Sequence, residues 1–193
     1  MRNNCYKMLE NRLSMIVLSG ASASGKTEAA KMLMVKYGIK KAITTTTRQL
    51  RCNEVNGRDY FFVSKEKFEQ MIKDDRFVEH TLYNGNYYGS TKDQIADDRS
   101  VVIDLEGLKS YSSLKDERIV TFYLKTCEDV RFKRMLERGD KEEDAHKRIQ
   151  NDRIIFADEN IPKVDYRIDS ENKTIEQVAD EIYRLYWKKL KSI

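Results

Sequence analysis

Residues 20–27 constrain the fold of this chain more than any other part of its sequence. They read Gly-Ala-Ser-Ala-Ser-Gly-Lys-Thr and match the pattern G-x-x-x-x-G-K-S/T. The apolar run before them, residues 13–19, is typical of a buried strand, and apolar residues at helical spacing follow from Ala29 to Met34. In this order of strand, loop and helix, such a loop wraps a phosphate with its backbone N–H groups. The sequence therefore predicts a nucleotide triphosphate site at the start of a helix.

The residues of this loop have expected roles in binding ATP. Small side chains let the backbone approach the phosphates, and the helix N-terminus adds a positive dipole end. Lys26 is expected to reach the β- and γ-phosphates, and the Thr27 hydroxyl is expected to hold Mg²⁺. The loop residues predicted to bind ATP are Gly20, Ala21, Ser22, Ala23, Ser24, Gly25, Lys26 and Thr27.

The loop alone leaves three classes of protein open: a small-molecule kinase, a GTPase-like switch, and a mechanical or nucleic-acid ATPase. A switch needs an Asn-Lys-x-Asp segment to read guanine, and the sequence contains none. A motor is not expected from 193 residues, which is about the length of one domain. A kinase needs a second anion pocket and movable arginines.

Composition argues against several other classes. Apolar residues make up 40% of the chain, but no apolar run reaches the roughly 18 residues of a membrane span, and the N-terminus lacks the apolar core of a secretory signal. A net charge of +4 without a basic block favours neither a nucleic-acid nor a membrane partner. The widely spaced Cys5, Cys52 and Cys127 indicate free thiols in the cytoplasm, and no metal-ligand spacing of the zinc type is present.

Strands and helices alternate at both ends of the chain, which predicts a parallel α/β core. Residues 44–92 are richer in strands and include a hairpin signal at Asn84-Gly85. We therefore expect one domain over residues 1–193, with its core in residues 13–43, 93–137 and 149–193 and an inserted subdomain in residues 44–92. The strands are predicted at residues 13–19, 39–43, 60–63, 77–83, 101–104, 119–124 and 164–168, and the main helices at residues 127–138 and 174–190.

The inserted segment carries short motifs in a fixed order. Residues 44–51 read Thr-Thr-Thr-Thr-Arg-Gln-Leu-Arg, residues 56–63 read Asn-Gly-Arg-Asp-Tyr-Phe-Phe-Val, residues 77–79 read Phe-Val-Glu, and residues 85–90 read Gly-Asn-Tyr-Tyr-Gly-Ser. With the phosphate loop, they closely resemble the guanylate kinase family over about residues 13–169. The resemblance implies an α/β fold: a P-loop three-layer parallel sheet core, an inserted NMP-binding subdomain, and a lid over residues 138–148.

The resemblance implies that the inserted subdomain binds the phosphate of GMP. Arg48 and Arg51 can clamp an anion with forked donors, and Tyr60 and Tyr88 can each donate a hydroxyl to the same phosphate. Taken alone, the two arginines could be solvated surface charges and the two tyrosines could be strand-face aromatics. In the family, the matching positions hold the acceptor phosphate.

The base of GMP is assigned to a second group of residues by the same resemblance. Glu79 matches the carboxylate that reads guanine, because it accepts two N–H bonds from an edge where adenine has no N1–H. Thr44 and Ser90 match hydroxyls that contact the base, although Ser90 could also cap the following helix. Asp104 ends a buried strand, where burying a carboxylate costs free energy unless the group has a function. It matches an aspartate of the family that lies near GMP and the magnesium water shell.

Arg138 and Arg148 bracket an acidic segment, residues 139–144, that resembles the lid of the family. The resemblance implies that both close over the triphosphate and stabilise the transferred phosphoryl group, while Arg134 contacts ATP. Lid closure would also exclude water. A merely solvated loop has the same composition, so this alternative stays open. The catalytic residues implied are Lys26, Arg48, Asp104, Arg138 and Arg148.

The sequence departs from the family pattern at several positions. Ala23 replaces a glycine and is expected to be tolerated provided that its φ is negative. Leu50 replaces a proline, Val102 and Glu106 replace the usual Asp and Gln around Asp104, and Asp169 falls where asparagine is common. The lid is one residue short. These departures indicate a divergent member, with acceptor preference open to change.

The reaction implied by the resemblance is ATP-dependent, Mg²⁺-dependent phosphorylation of GMP, and of dGMP, by direct phosphoryl transfer in the cytoplasm. One alternative is a kinase of the same fold with another acceptor, such as ribose 1,5-bisphosphate, which has no base for Glu79 and Ser90 to read. The other is a non-catalytic guanylate-kinase-like binding module. Such modules lose the phosphate loop, whereas Lys26 and Thr27 are present here. The oligomeric state is not predicted.

Overall fold

A computed structural model describes residues 14–50, 54–83, 85–96 and 98–193. The predictions made for residue 13, Arg51, Cys5, Cys52 and Asn84 lie outside the described residues. The strands are β1 (Met15–Ser19), β2 (Lys40–Lys41), β3 (Thr45–Thr46), β4 (Phe61–Phe62), β5 (Phe77–Tyr83), β6 (Asn86–Thr91), β7 (Arg99–Val102), β8 (Ile119–Lys125) and β9 (Tyr166–Asp169). The α-helices are α1 (Lys26–Tyr37), α2 (Lys65–Lys73), α3 (Leu105–Ser113), α4 (Glu128–Glu137), α5 (Glu142–Ile155) and α6 (Ile175–Lys191).

The central sheet is parallel and has the strand order β2-β7-β1-β8-β9. Its middle strand, β1, is fully buried, as a strand covered on both faces must be. Ile16 and Leu18 pack into a core with α1 and α6, while Met15 and Val17 pack into a second core that includes residues of α3. The fold is therefore α/β in three layers, as the sequence predicted.

The strand order places the polar loops of the central sheet at one edge. The two neighbours of β1, β7 and β8, both come much later in the chain, so the carboxyl end of β1 is a switch point of the sheet, where ligands bind in open α/β folds. The phosphate loop follows β1 at this edge, and Asp104 follows β7. Ser170 follows β9 at the same edge. The core thus brings residues that are distant in sequence to a single rim.

The inserted segment forms a second sheet with the order β4-β3-β6-β5. Strands β5 and β6 are antiparallel, with Thr81 opposite Tyr88 and Glu79 opposite Ser90. Phe68 of α2 stacks on Phe77 at 4.3 Å and on Tyr87 at 5.1 Å between ring centroids, which makes Tyr87 a packing residue of this layer.

Two elements differ from the sequence predictions. The strand expected at residues 39–43 is reduced to β2, whose two lysines are exposed at the sheet edge. Helix α5 begins at Glu142, so it already occupies part of the segment resembling the lid. Among the described residues, every helix is too short or too polar to cross a membrane.

Candidate active site

The phosphate loop joins the buried strand β1 directly to helix α1. Gly20 has φ 150°, and a Cβ atom there would lie 2.5 Å from the carbonyl oxygen of Leu124, so the close approach of β8 requires glycine. Gly25 is left-handed at φ 94° and precedes α1 without a side-chain cap on the helix N-terminus. The first N–H groups of α1 therefore face the loop without competition from a capping side chain.

Lys26 lies over the loop with its ammonium group directed at backbone oxygens. Its Nζ atom donates to the carbonyl oxygen of Gly20 at 2.6 Å and to that of Ala21 at 2.7 Å. Burial lowers the pKa of Lys26 to about 8, while the nearby Asp152 carboxylate raises it and Arg131 and Arg138 lower it. The Ser24 hydroxyl oxygen lies 3.4 Å from the same Nζ atom, so every hydrogen-bond partner of the ammonium group among the described residues is a neutral oxygen of the loop. Such a group is well suited to exchange these partners for phosphate oxygens.

Ala23 corrects one sequence expectation. Its φ is 58°, in the left-handed region, although tolerance of alanine was expected only with a negative φ. The conformation is possible because the turn is held by contacts with other parts of the chain. One of these is a hydrogen bond from Nη1 of Arg134 to the carbonyl oxygen of Ala23 at 3.4 Å.

The donor side of the site forms a cavity of about 450 Å³ beside the loop. It gathers predicted ATP-binding residues with the arginines of the segment after β8. Arg134 is fixed there by a second hydrogen bond, from Nη2 to the carbonyl oxygen of Ser170 at 2.9 Å. The residues lining this cavity are Ala23, Gly25, Lys26, Thr27, Glu28, Arg134, Glu137 and Arg138.

Arg138 and Arg148 both bind the carboxylate of Asp140, a residue that the sequence analysis did not select. Nε and Nη2 of Arg138 donate to the two oxygens of Asp140 at 3.0 and 2.6 Å. Nη1 of Arg148 donates to Oδ2 of the same residue at 3.2 Å. The hydrogen bond from Arg138, together with the charge of Arg148, lowers the pKa of Asp140. Both arginines are about half exposed, at 47% and 53%.

Arg48 lies in the inserted subdomain, where the sequence predicts that the acceptor phosphate binds. Its Nη2 atom donates to Oε1 of Glu54 at 2.6 Å, and the two side chains are only 15% and 19% exposed. Its guanidinium carbon lies 5.5 Å from the ring centroid of Tyr60, which is 6.2 Å from that of Tyr88. The structure thus gathers Arg48, Tyr60 and Tyr88, while Arg51 is outside the described residues.

Glu79 and Ser90 meet across the β5–β6 pair. The Ser90 hydroxyl donates to Oε1 of Glu79 at 2.6 Å, so this serine does not serve as the helix cap considered from the sequence. Burial raises the pKa of Glu79, with a smaller contribution from the charge of Asp104. Thr44 lies half-buried at the start of the same sheet, where its carbonyl oxygen accepts from the N–H of Phe61 at 2.9 Å.

Asp104 is exposed and caps helix α3, which differs from the buried, costly acid that the sequence suggested. Its side chain accepts from the N–H of Gly107 at 2.8 Å, and its carbonyl oxygen accepts from the Ser19 hydroxyl at 3.2 Å. N-capping alone accounts for an acid at this position. Asp104 nevertheless contacts Ser19 at the end of β1, and its charge acts on Glu79.

Sequence reasoning missed Arg131 and Asp152, which contact the loop at Ser22. It also missed the hydrogen bond between Arg134 and Ser170. The available signal for Asp152 was its place four residues after Arg148, on the same face of one helix.

Comparisons with known proteins agree with this arrangement. The family model described as guanylate kinase matches residues 12–189. A guanylate kinase of Clostridium tetani is 29% identical over 192 residues, covering 87% of this chain and 91% of the relative. One from Clostridium perfringens is 34% identical over 146 residues, covering 72% and 67%. The crystal structure of guanylate kinase from Anaplasma phagocytophilum has a TM-score of 0.61 and 27% identity, and covers 91% of this chain and 85% of that one. With a match that spans the phosphate loop, the inserted sheet and the arginine-bearing helices alike, this chain belongs to the guanylate kinase family.

Proposed function

We propose that this chain transfers the γ-phosphoryl group of Mg²⁺·ATP to GMP, and to dGMP, giving ADP and GDP or dGDP. The observation that carries the proposal is the presence of two separate cationic groups that are suited to bind phosphate. One is the phosphate loop with Lys26, and the other is Arg48 with its two tyrosines. Direct transfer needs both phosphates held close together and their charge neutralised.

On the donor side, the backbone N–H groups of the loop and the ammonium of Lys26 hold the ATP phosphates. Arg134 borders the same cavity and contacts the nucleotide. The Thr27 hydroxyl, exposed at the first turn of α1, would be the protein ligand for Mg²⁺. A hydroxyl oxygen is a donor that suits this hard cation. When bound, the ion would supply positive charge that neutralises the phosphates.

On the acceptor side, Arg48 and Arg51 bind the phosphate of GMP, and the hydroxyls of Tyr60 and Tyr88 donate to it. Glu54 keeps the planar guanidinium of Arg48 in one orientation, so that its remaining N–H donors can face the ligand. A lysine at this position would supply the positive charge but not a planar set of N–H donors in a fixed orientation.

The base is read by Glu79, helped by Ser90 and Thr44. An ionised Glu79 accepts the N1–H and N2–H of guanine, and the Ser90 hydroxyl fixes the orientation of the carboxylate before the base arrives. Adenine has no N1–H at this edge, so its binding leaves the buried carboxylate unpaired, which is costly. Asp104, which stands nearby, completes the acceptor site.

Arg138 and Arg148 act on the transferred group. Both bind Asp140 in this structure and are half exposed, so they can exchange this carboxylate for phosphate oxygens without leaving a buried cavity behind. We assign the closing segment to residues 138–148. Its closure would shield the reacting phosphates from water and limit hydrolysis of ATP.

The reaction is placed in the cytoplasm, where both nucleotides are available and where the free, exposed thiol of Cys127 is compatible with the reducing conditions.

The test is ADP release from Mg²⁺·ATP with GMP, dGMP, AMP, UMP and ribose 1,5-bisphosphate measured in parallel. Turnover with GMP and dGMP far above the other three supports the proposal. Turnover with ribose 1,5-bisphosphate or another base would keep the phosphoryl transfer and contradict the role of Glu79. A folded chain that binds ATP and turns over none of the five would contradict the proposed reaction.

A further inference from the structure

Arg131 and Asp152 form an ion pair that is buried between helices α4 and α5. Nη1 of Arg131 donates to Oδ2 of Asp152 at 2.7 Å, and the two side chains are 5% and 9% exposed. Removing two charges from water costs free energy that their attraction often fails to recover, so such a pair is weak evidence of a stabilising role. Nε of Arg131 is also buried without a hydrogen-bond partner among the described residues. The pair therefore requires an explanation other than stability.

That explanation lies in Ser22, in the middle of the phosphate loop. Its backbone N–H donates to Oδ2 of Asp152 at 2.8 Å, and its hydroxyl donates to Oδ1 at 3.3 Å. Its carbonyl oxygen accepts from Nη1 of Arg131 at 3.3 Å. Both backbone polar groups of Ser22 are therefore bound by the ion pair. The next residue, Ala23, has the left-handed φ of 58°, so the pair fixes the loop where the backbone departs from its preferred conformation.

The same loop carries Lys26, whose Nζ atom donates to the carbonyl oxygens of Gly20 and Ala21 at 2.6 and 2.7 Å. Because Ser22 directly follows these two residues, fixing Ser22 also restrains the backbone that holds the ammonium group.

We infer that Asp152 is a positioning residue for the donor nucleotide: paired with Arg131, it fixes the phosphate loop at Ser22 in the conformation that binds phosphate. It acts through the loop and not by touching ATP. Asp152 also follows Arg148 by one helical turn, so the same contact ties α5 to the loop. The inference rests on the proposed function only in taking ATP as the ligand of the loop.

The first test asks whether the hydrogen bonds to Ser22 set the affinity for the donor nucleotide. Asp152→Asn keeps the size of the side chain and an oxygen that can accept from the N–H of Ser22, whereas Asp152→Leu keeps the size and removes every acceptor. Binding of a non-hydrolysable ATP analogue with Mg²⁺ is measured by calorimetry on the full chain at one pH, with GMP binding measured alongside.

Asp152→Leu should bind the analogue about tenfold more weakly or worse, and Asp152→Asn should recover much of that loss, because it can still accept from Ser22. The affinity for GMP should stay unchanged in both variants. Analogue affinity in Asp152→Leu equal to that of the unsubstituted chain overturns the inference. A merely structural role would weaken GMP binding as much as analogue binding, and that result overturns the inference as well.

The second test guards against unfolding, because removal of one member of a buried ion pair is often strongly destabilising. The double variant Arg131→Met/Asp152→Leu replaces both charges by apolar groups and should unfold at a temperature close to that of the unsubstituted chain. We expect it to bind the ATP analogue about tenfold more weakly or worse, since Ser22 is no longer fixed. Recovery of both stability and analogue affinity overturns the inference.

These readouts are independent of the acceptor. A chain that turned over ribose 1,5-bisphosphate in place of GMP would contradict the proposed function. The analogue-binding results would still decide the role of Asp152.

Discussion

Ser90 donates its hydroxyl to Oε1 of Glu79 across two paired strands, with the two oxygens 2.6 Å apart. Burial at the same time raises the pKa of Glu79. The carboxylate is therefore held in one orientation and is poorly solvated, so its remaining acceptor positions have much to gain from a base that donates two N–H groups. We therefore expect acceptor selectivity to depend on Glu79.

We predict that Glu79→Gln removes the discrimination between GMP and AMP. The amide places N–H donors where guanine also donates, so the ratio of kcat/KM for GMP over AMP should fall by on the order of 100-fold or more. Steady-state kinetics with both acceptors measures this ratio. Glu69→Gln, on the surface of α2 at 44% exposure, is the matched control and should leave the ratio unchanged.

In the same variant, the affinity for GMP should no longer decline at acidic pH. Because the pKa of Glu79 is raised, the free protein takes up its proton at a higher pH than an ordinary glutamate does. The protonated acid no longer accepts both N–H bonds, so GMP affinity should decline as the pH falls through that raised pKa. Calorimetric titration of GMP against pH should show this decline in the unsubstituted chain and not in Glu79→Gln. An equal decline in both would contradict the assignment.

Arg48→Lys should impair GMP use while the fold persists. Lysine keeps the charge but not the fork that pairs with Glu54. The loss of the planar set of N–H donors to the acceptor phosphate should lower kcat/KM for GMP by on the order of 100-fold or more. The control is Arg58→Lys, at an exposed residue, and this variant should keep the activity of the unsubstituted chain. Near-normal kcat/KM in Arg48→Lys would remove Arg48 from the phosphate site.

Lys26→Met should abolish turnover and raise thermal stability. The pKa of Lys26 is lowered to about 8, so the folded state holds this proton less tightly than the unfolded state does. The resulting penalty is complete below about pH 8 and disappears as the pH rises toward the ordinary lysine range. The substitution removes this penalty but also removes two hydrogen bonds to carbonyl oxygens, which offsets part of the gain. We expect a net increase in the free energy of unfolding of about 1 kcal/mol at neutral pH, or roughly 2–4 °C in Tm.

Calorimetry at neutral pH and near pH 10 measures this gain, which should shrink at the higher pH. Lys31→Met, on the exposed side of α1, should change neither activity nor Tm. A lower Tm for Lys26→Met at neutral pH would show that the hydrogen bonds of the ammonium outweigh its desolvation.

Arg138→Ala should lower kcat by on the order of 1,000-fold or more, because an arginine on the transferred phosphoryl group acts mainly in the transition state. KM for GMP should change little. The loss of its half-exposed pair with Asp140 should cost at most about 1 kcal/mol of stability. Arg153→Ala on α5, which breaks an exposed pair with Glu128, is the control with unchanged kcat. A kcat for Arg138→Ala within threefold of the original chain would exclude the proposed role.

Ala23→Gly should stabilise the protein without weakening ATP binding. Alanine at φ 58° carries a cost that glycine avoids, and part of that gain is lost to the greater freedom of glycine in the unfolded chain. The expected net gain is about 0.5–1 kcal/mol. Denaturant unfolding and ATP-analogue binding measure the two quantities. A loss of stability would mean that contacts of the Ala23 methyl outweigh the backbone strain.

The sequence was sufficient for features that depend on local order along the chain. The strand, loop and helix around Lys26 follow from a short motif, and β5 was predicted at residues 77–83, where the structure has it. The parallel α/β core follows from alternating strands and helices, and its three layers follow from the family resemblance. These features are local because strand burial and helical spacing are expressed within a few consecutive residues.

Other features depend on contacts between distant segments and leave no local pattern. Arg131 and Asp152 are 21 residues apart on two helices that each look solvent-facing in sequence, yet both side chains are buried. The left-handed φ of Ala23 likewise depends on what holds the loop and not on the residue itself. Asp104 was expected to be a buried acid at the end of a strand, but helix α3 begins there and turns it into a cap.

The arrangement of Arg138 and Arg148 on the single carboxylate of Asp140 gives ionic strength two opposing effects on this enzyme. Ions screen half-exposed pairs, so added salt loosens the hold of Asp140 on both arginines and eases their departure toward phosphate. The same ions compete for the phosphate loop and weaken nucleotide binding. Activity should therefore pass through a maximum at moderate salt, and the position of that maximum measures how strongly Asp140 restrains the two arginines.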